Sequence, residues 1–138
     1  MKQGFAKWLG FGGLIPFIGL TVVVATDYRG WADLSGEALR VYAALILSFL
    51  GGVSWGIALR EEYEGLYSLS MVPFFGAWAA LLASAPVSYG LLMAAFVAAH
   101  AIDYHARARQ LLPGWFFDLR KQLTIGVLLC LIVVALSL

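Results

Sequence analysis

The sequence predicts an all-α protein embedded in a membrane, a single domain of five transmembrane helices over residues 1–138. Three observations support this fold class. Four long segments contain no Asp, Glu, Lys or Arg, 62% of the residues are hydrophobic, and only 12% are charged, against about 25% in soluble domains. Helices are expected in such segments because backbone polar groups in lipid must find their hydrogen-bond partners within the segment itself.

The lengths of the uncharged segments give the number of helices. The segments cover residues 8–26, 41–59, 65–102 and 122–138. A hydrocarbon core of about 30 Å requires about 20 helical residues, so the first, second and fourth segments each suit one crossing. The third is about twice that length, and Pro86 near its middle indicates a tight turn between two helices. The predicted helices are about 8–26, 40–59, 65–84, 87–107 and 120–138.

The first predicted helix carries Pro16 in its interior. Proline removes a backbone donor and frees a carbonyl one turn earlier, so we expect a kink there. Lys2 and Lys7 precede the apolar segment, as they would in a signal peptide. The segment is long for a signal core and no Ala-x-Ala site follows it, so a retained anchor is expected.

Helices two, three and four carry small residues at every fourth position, a pattern that allows close helix approach in lipid. The rows are Ala44, Ser48, Gly52 and Gly56 in helix two, Gly76, Ala80 and Ser84 in helix three, and Gly90, Ala94 and Ala98 in helix four. They predict tight contact among these three helices, although the same rows could equally serve dimerisation. Helix three also contains Pro73, where we expect a second kink. Both interior prolines could instead mark a hinge or a pocket of the kind that transporters use.

Helix four has the densest group of polar side chains, because His100, Asp103, Tyr104 and Arg107 share one of its faces. Asp103 precedes Arg107 by four residues, the favourable order for a helical ion pair. An interfacial ion-pair cluster, a site for a ligand or lipid headgroup, and proton handling by His100 and Asp103 are the alternatives. No cofactor is expected. A metal site is disfavoured because the imidazoles of His100 and His105 would project about 140° apart on the helix.

The segment before helix five combines aromatic and basic side chains. Trp115 suits an interfacial anchor, and Arg120 joins the candidates for contact with a ligand or lipid headgroup. The acidic loop at 60–64 should lie on the same side of the membrane as this basic segment, and contact between them would close that end of the bundle. The alternative is a solvated acidic turn, since exposed ion pairs contribute little.

The distribution of the nine basic residues predicts the orientation. Most lie on the side of the N-terminus, and only Arg29 and Arg40 lie on the other. Because basic loops stay in the cytoplasm, we expect a cytoplasmic N-terminus and a C-terminus across the membrane. In an organelle the matrix would replace the cytoplasm.

Several short motifs are distributed along the chain. They are Gly13-Leu-Ile-Pro16-Phe17, the segment 48–56, Pro73 with Trp78, Leu112-Pro-Gly-Trp115, and Leu119-Arg120 with Thr124. Together they resemble the family of domain of unknown function 3429 (DUF3429). The resemblance implies a small multi-pass protein of bacterial inner membranes, with relatives that look mitochondrial, and it implies no reaction. The motif positions that it carries over, without roles, are Pro16, Trp55, Gly56, Asp103, Arg120 and Thr124. This chain has Ser54 where relatives often have His or Arg, so it lacks any function that a basic side chain serves there.

Three classes of function follow. The favoured class is a structural, accessory or assembly protein that binds membrane lipids, a second copy or a larger membrane complex. A small-solute or proton transporter would need a polar cavity at mid-depth between Pro16, Pro73, Ser54 and His100. A membrane enzyme that acts on a lipid or quinone is least favoured, because the sequence contains no nucleophile with a base, no carboxylate pair and no metal-ligand set. The net charge of +1 gives no reason to expect nucleic acid as a partner.

Overall fold

A computed structural model describes residues 2–137, with side-chain environments from residue 4 onward. Its helices are α1 (Lys2–Gly12), α2 (Leu14–Thr26), α3 (Ala32–Glu61), α4 (Gly65–Leu82), α5 (Val87–Ala108) and α6 (Gly114–Leu136). A short 3-10 turn, Tyr28–Gly30, lies between α2 and α3. Between residues 2 and 137 the chain forms no β-strand.

Within residues 2–137, five helical segments are long and apolar enough to cross a membrane, which confirms the predicted fold class. The first, Gly4–Thr26, combines α1 and α2, and each of the other long helices supplies one more. The turn predicted at Pro86 is present, since α4 ends at Leu82 and α5 begins at Val87.

Three helices begin earlier than the uncharged segments indicate. The structure starts α1 at Lys2 instead of residue 8, α3 at Ala32 instead of residue 40, and α6 at Gly114 instead of residue 120. An apolar segment marks only the part of a helix that crosses the hydrocarbon. The helix itself can extend into the headgroup region, where charged and aromatic side chains are tolerated.

The two interior prolines have different surroundings. Pro16 is exposed, and the helix is interrupted at Gly13, just before it. The Tyr42 hydroxyl on α3 donates a hydrogen bond to the Gly13 carbonyl at 2.9 Å, which joins α3 to this interruption. Pro73 is buried, and α4 continues through it as one helix. Of the two prolines, only Pro16 therefore accompanies a break between helices.

The main core lies where α2, α3, α4, α5 and α6 meet. Phe17, Leu47, Phe96 and Leu131 are almost completely buried in it. The Phe17 and Phe96 rings meet edge to face with their centroids 6.5 Å apart, a favourable arrangement for aromatic pairs. A second, smaller cluster lies at the end of the bundle that carries the α3–α4 and α5–α6 loops, and it contains Ala58, Leu66, Ile102, Ala106 and Leu112.

Helices approach each other closely at two glycines. A Cβ at Gly51 on α3 would lie only 2.7 Å from the Ser70 carbonyl oxygen on α4. A Cβ at Gly76 on α4 would lie 3.0 Å from the Ala95 Cβ on α5. Ala80, in the same predicted row as Gly76, is also buried. Close approach of α4 to both neighbours therefore depends on residues without bulky side chains, as packing in lipid requires.

The predicted rows of small residues on α3 and α5 do not face the neighbouring helices as expected. Ala44 is buried, but a Cβ at Gly52 or Gly56 of α3, or at Gly90 of α5, would meet no atom within 4 Å. Ala94 is exposed as well, and Ser48 and Ala98 are half-buried. Within the single chain the packing expected of these rows is not observed, because the contact faces lie on adjacent residues. On α3 the contact with α4 is made by Gly51 and not by Gly52, and on α5 the contact with α4 is made by Ala95 and not by Ala94.

We expect Gly51→Ala to lower the free energy of unfolding in detergent by about 1–3 kcal/mol, because the new methyl group would push against the backbone of α4. Gly52→Ala is the matched control, since it makes the same gain in helix propensity on the open side of α3. Equilibrium unfolding of both variants measures the difference. Equal stability of the two variants would show that α3 and α4 do not approach closely at Gly51.

Candidate functional site

A buried ion pair joins α5 to α6. Nη2 of Arg120 lies 2.9 Å from Oδ2 of Asp103, and the residues are 5% and 3% exposed. The sequence spacing favours a different partner for this carboxylate, Arg107 on the same helix. In the structure Arg107 is exposed instead, and its Nη1 donates to the Leu112 carbonyl at 3.4 Å in the α5–α6 loop. Because Arg120 comes from another helix, the pair fixes a contact between helices and not a turn within one.

Local sequence explains why both charges face inward. On α5, Asp103 follows Ala99 and precedes Ala106, at the spacing that keeps side chains on one helix face, and both alanines are buried. On α6, Arg120 precedes Thr124 and Val127, which are also buried. The small side chains on α5 leave room for the long guanidinium from α6.

The ion pair does not satisfy all of its own polar atoms. Among the residues that the structure describes, Asp103 Oδ2 and Arg120 Nη1 have no hydrogen-bond partner. The contact between Nη2 and Oδ2 is therefore a charge contact without hydrogen-bond alignment. The Arg120 guanidinium also lies 5.9 Å from the centre of the Phe116 ring, where a cation–π attraction contributes. A buried pair of this kind offsets the cost of desolvating its charges only in part.

The rest of the predicted polar face of α5 is divided between the inside and the outside of the bundle. His100 is half-buried, its ring stacks on Phe117 with centroids 5.4 Å apart, and its Nδ1 has no hydrogen-bond partner in the described part of the chain. Tyr104 is 67% exposed and lies near the same Phe117 ring. Of the five candidate residues, the structure thus brings Asp103 and Arg120 together and directs Tyr104 and Arg107 outward. No group of three or more His, Cys, Asp or Glu residues that could hold a metal ion occurs among the described residues.

The two loops at this end of the bundle contact each other, mainly through Tyr63. The Tyr63 hydroxyl lies 3.3 Å from Nε2 of His105, and the Arg109 guanidinium lies 5.3 Å from the centre of the Tyr63 ring. Arg60 donates to the Leu111 carbonyl at 3.4 Å. Of the two alternatives left open by the sequence, contact between these loops is present, and it runs through an aromatic ring and a backbone carbonyl. The acidic side chains of the loop are not its basis.

A second polar cluster, at the opposite end, was not recognised from the sequence. Nη1 of Arg40 donates to the carbonyls of Ala80 and Ala83, at 3.2 and 3.0 Å, and to the Ser88 hydroxyl. The Ser88 hydroxyl donates to the Ala80 carbonyl at 2.6 Å, and Glu37 pairs with Arg40. Arg40 therefore donates to carbonyls at the C-terminus of α4, where a cation is favourable. Glu37, one helical turn earlier, was the available signal that Arg40 lies within a helix.

A cavity of about 350 Å³ lies between the first crossing, α3 and α6. Its walls are apolar, with Phe17, Phe49 and Leu123 among them, and Arg120 and Thr124 are the lining residues with polar side chains. A transporter was expected to need a polar cavity near Pro16, Pro73, Ser54 and His100. None of these four residues lines this cavity.

Comparisons with known proteins agree with the resemblance noted in the sequence. The model of the family described as "Protein of unknown function (DUF3429)" matches residues 3–136. Transmembrane protein 69 of Xenopus tropicalis is 32% identical over 92% of this chain and 52% of its own length. Transmembrane protein 69 of Mus musculus is 29% identical over 93% of this chain and 54% of its own length. The chain thus spans about half the length of these curated relatives. No solved structure matches it.

The buried ion pair can be tested by a double-mutant cycle of Asp103→Leu and Arg120→Met. We expect each single variant to lose about 3–5 kcal/mol of unfolding free energy, because each leaves one buried charge without its partner. The double variant should recover most of this loss, since no buried charge remains. Arg107→Met is the control and should change stability by less than about 0.5 kcal/mol. Additive losses in the cycle would contradict an interaction between Asp103 and Arg120.

The cluster at Arg40 gives a separate prediction. Arg40→Met should lower the unfolding free energy by about 1–3 kcal/mol, because carbonyls at the end of α4 lose their donor in a water-poor region. Glu37→Gln keeps that donor and should have a smaller effect, since the Glu37 side chain is 59% exposed. Thermal unfolding in detergent compares them. A larger loss for Glu37→Gln would assign the stabilisation to the ion pair instead of the carbonyls.

Proposed function

Since the chain belongs to the DUF3429 family, described as proteins of unknown function, we propose that it is an accessory protein of the membrane that associates with another transmembrane helix. The proposed location is the inner membrane of a bacterium, or of mitochondria in a eukaryote, with the N-terminus in the cytoplasm or matrix. The basic residues concentrated on the N-terminal side support this orientation.

The observation that carries the proposal is the outward row on α3, formed by Ser48, Gly52 and Gly56. A side-chain methyl group at either glycine would contact nothing within 4 Å. Lipid tails gain nothing from a flat helix surface, whereas a second helix gains close backbone contact there. The row therefore suits an occupant with its own small residues, which can lie against α3 at short interhelical distance.

A shallow groove beside this row adds to the available surface. It lies between α3 and α4, has a volume of about 200 Å³, and includes Ser48, Gly52, Trp55 and Phe74 in its lining. Trp55 and Phe74 are 42% and 45% exposed. Large side chains of a partner helix would fit this groove, while small residues of the same partner helix would face Gly52. Such a combination of large and small residues packs helices closely in membranes.

The composition of the large cavity favours an accessory role over transport of a polar solute. A polar solute needs hydrogen-bonding groups along its path to replace its lost water. Among the described residues, the cavity offers the side chains of Arg120 and Thr124 in an otherwise apolar lining. The polar clusters at Arg40 and at Tyr63 lie at the two ends of the bundle, where they contact helix ends and loops.

The proposed association is tested with Gly52→Leu and Gly56→Leu in the full chain, extracted from its native membrane in mild detergent. We expect native mass spectrometry to detect a complex with a second membrane helix, either another copy of the chain or a different protein. Each substitution should weaken the complex by about 1–2 kcal/mol, because leucine separates the two backbones.

Gly19→Leu is the matched control. Gly19 is exposed on α2, and a Cβ there would also meet nothing within 4 Å. The mass of the complex distinguishes a second copy from a different protein. A stable monomer in native extracts, or a complex that Gly19→Leu weakens as much as Gly52→Leu, would refute association through this row.

A further inference from the structure

The apolar cavity is open to the surrounding lipid. Its lining includes Leu9 on α1 and Phe49 on α3, which are 64% and 67% exposed. The cavity therefore extends from the lipid-facing surface between these two helices to the buried core residues Phe17 and Phe96. Its volume of about 350 Å³ falls in the range of about 300–1,000 Å³ that is usual for small-molecule sites. A hydrocarbon chain could reach it from the bilayer without crossing water.

Among the described side chains, one that carries a charge lines this cavity, that of Arg120. The side chain is 7% exposed, its Nη2 contacts Asp103, and its Nη1 has no hydrogen-bond partner among residues 4–137. A guanidinium has five N–H donors, and leaving donors unused in a buried site is costly. Thr124 lines the same cavity one helical turn further along α6. Arg120 and Thr124 thus place two polar side chains close together in an otherwise apolar lining.

The charge of the site restricts what can bind there. Asp103 already balances the positive charge of Arg120 at 2.9 Å. An anionic headgroup would leave the buried site with a net negative charge, which is unfavourable where the dielectric is low. An uncharged carbonyl oxygen would accept a hydrogen bond from the guanidinium without changing the net charge. The site therefore calls for an acceptor and not for a counter-ion.

We propose that this cavity binds a neutral amphiphile of the membrane, with a carbonyl oxygen that accepts a hydrogen bond from Arg120 and a hydrocarbon tail that extends between α1 and α3. Two sources share this chemistry, the ester carbonyl of a neutral glycerolipid and the ring carbonyl of an isoprenoid quinone. The site is separate from the outward row of Ser48, Gly52 and Gly56, so it does not depend on the proposed association.

Binding is measured by native mass spectrometry of the full chain, stripped of lipid in detergent and titrated with four probes. Monooleoylglycerol and decylbenzoquinone carry neutral carbonyls, oleate carries a carboxylate, and octadecene carries no polar group. We expect the two carbonyl probes to bind more tightly than oleate and octadecene. The stronger of the two identifies the source of the carbonyl.

Two variants test the two parts of the site. Val53→Phe narrows the cavity from α3 and should lower the affinity for both carbonyl probes about tenfold or more, because the hydrocarbon tail of the probe loses apolar contact. Val41→Phe is its control, since Val41 is on the same helix, 42% exposed and absent from the lining.

Arg120→Lys keeps the charge opposite Asp103 but removes the second guanidinium nitrogen. Arg120→Lys should lower the affinity for the carbonyl probes about tenfold, which corresponds to the loss of one charge-assisted hydrogen bond, and leave the affinity for octadecene unchanged.

Four results would overturn the proposal. They are absence of binding by both carbonyl probes, tighter binding of oleate than of monooleoylglycerol, equal effects of Val53→Phe and Val41→Phe, and unchanged affinity in Arg120→Lys. Circular dichroism of each variant confirms that it is folded. If Val53→Phe does not fold, the comparison of probes and Arg120→Lys still decides the question.

Discussion

The requirement that charge inside a lipid-embedded bundle be balanced inside the same bundle determines the arrangement of α5 and α6. Asp103 and Arg120 lie on different helices, yet each is almost completely buried against the other. Lipid offers neither side chain a substitute for the other, so rotating either helix about its axis would expose a charge to hydrocarbon. Apolar contacts alone would tolerate such a rotation, because lipid solvates an apolar face as well as a neighbouring helix does. The ion pair therefore supplies rotational specificity that the surrounding leucines and valines lack.

The polar side chains of the two bundle ends have a related role. At one end, Arg40 and Ser88 satisfy carbonyls at the C-terminus of α4, and at the other, Tyr63 contacts His105 and Arg109. Between these ends the main cluster of buried side chains is hydrophobic, and the Asp103–Arg120 pair lies beside it. Helix positions along the membrane normal are thus fixed by polar contacts near the two interfaces, while close approach at Gly51 and Gly76 determines the distances between α4 and its neighbours.

Sequence reasoning identified the number of helices because an apolar segment must be long enough to span the bilayer, and this requirement is a strong constraint. It identified the turn at Pro86 for the same reason. The partner of Asp103 was missed because Arg120 was counted with the basic loop residues that determine orientation, and a helix that begins at Gly114 places it well inside the bundle. The sequence pattern could not show which of Gly51 and Gly52 contacts α4. When every face of a helix is apolar, the 3.6-residue period offers several rows of small residues and no polar face to decide among them.

The placement of the two buried charges has a consequence for how the polypeptide is made. Inserted alone, α5 would carry an uncompensated carboxylate into the bilayer, at a cost of up to about 2.5–3.5 kcal/mol, the translocon-scale value for the centre of a helix. The next helix along the chain brings the compensating guanidinium, and the short α5–α6 loop keeps the two close together from the moment both have been synthesised. Biogenesis should therefore favour partitioning of these helices as a hairpin, with α5 remaining near the insertion machinery until α6 emerges from the ribosome.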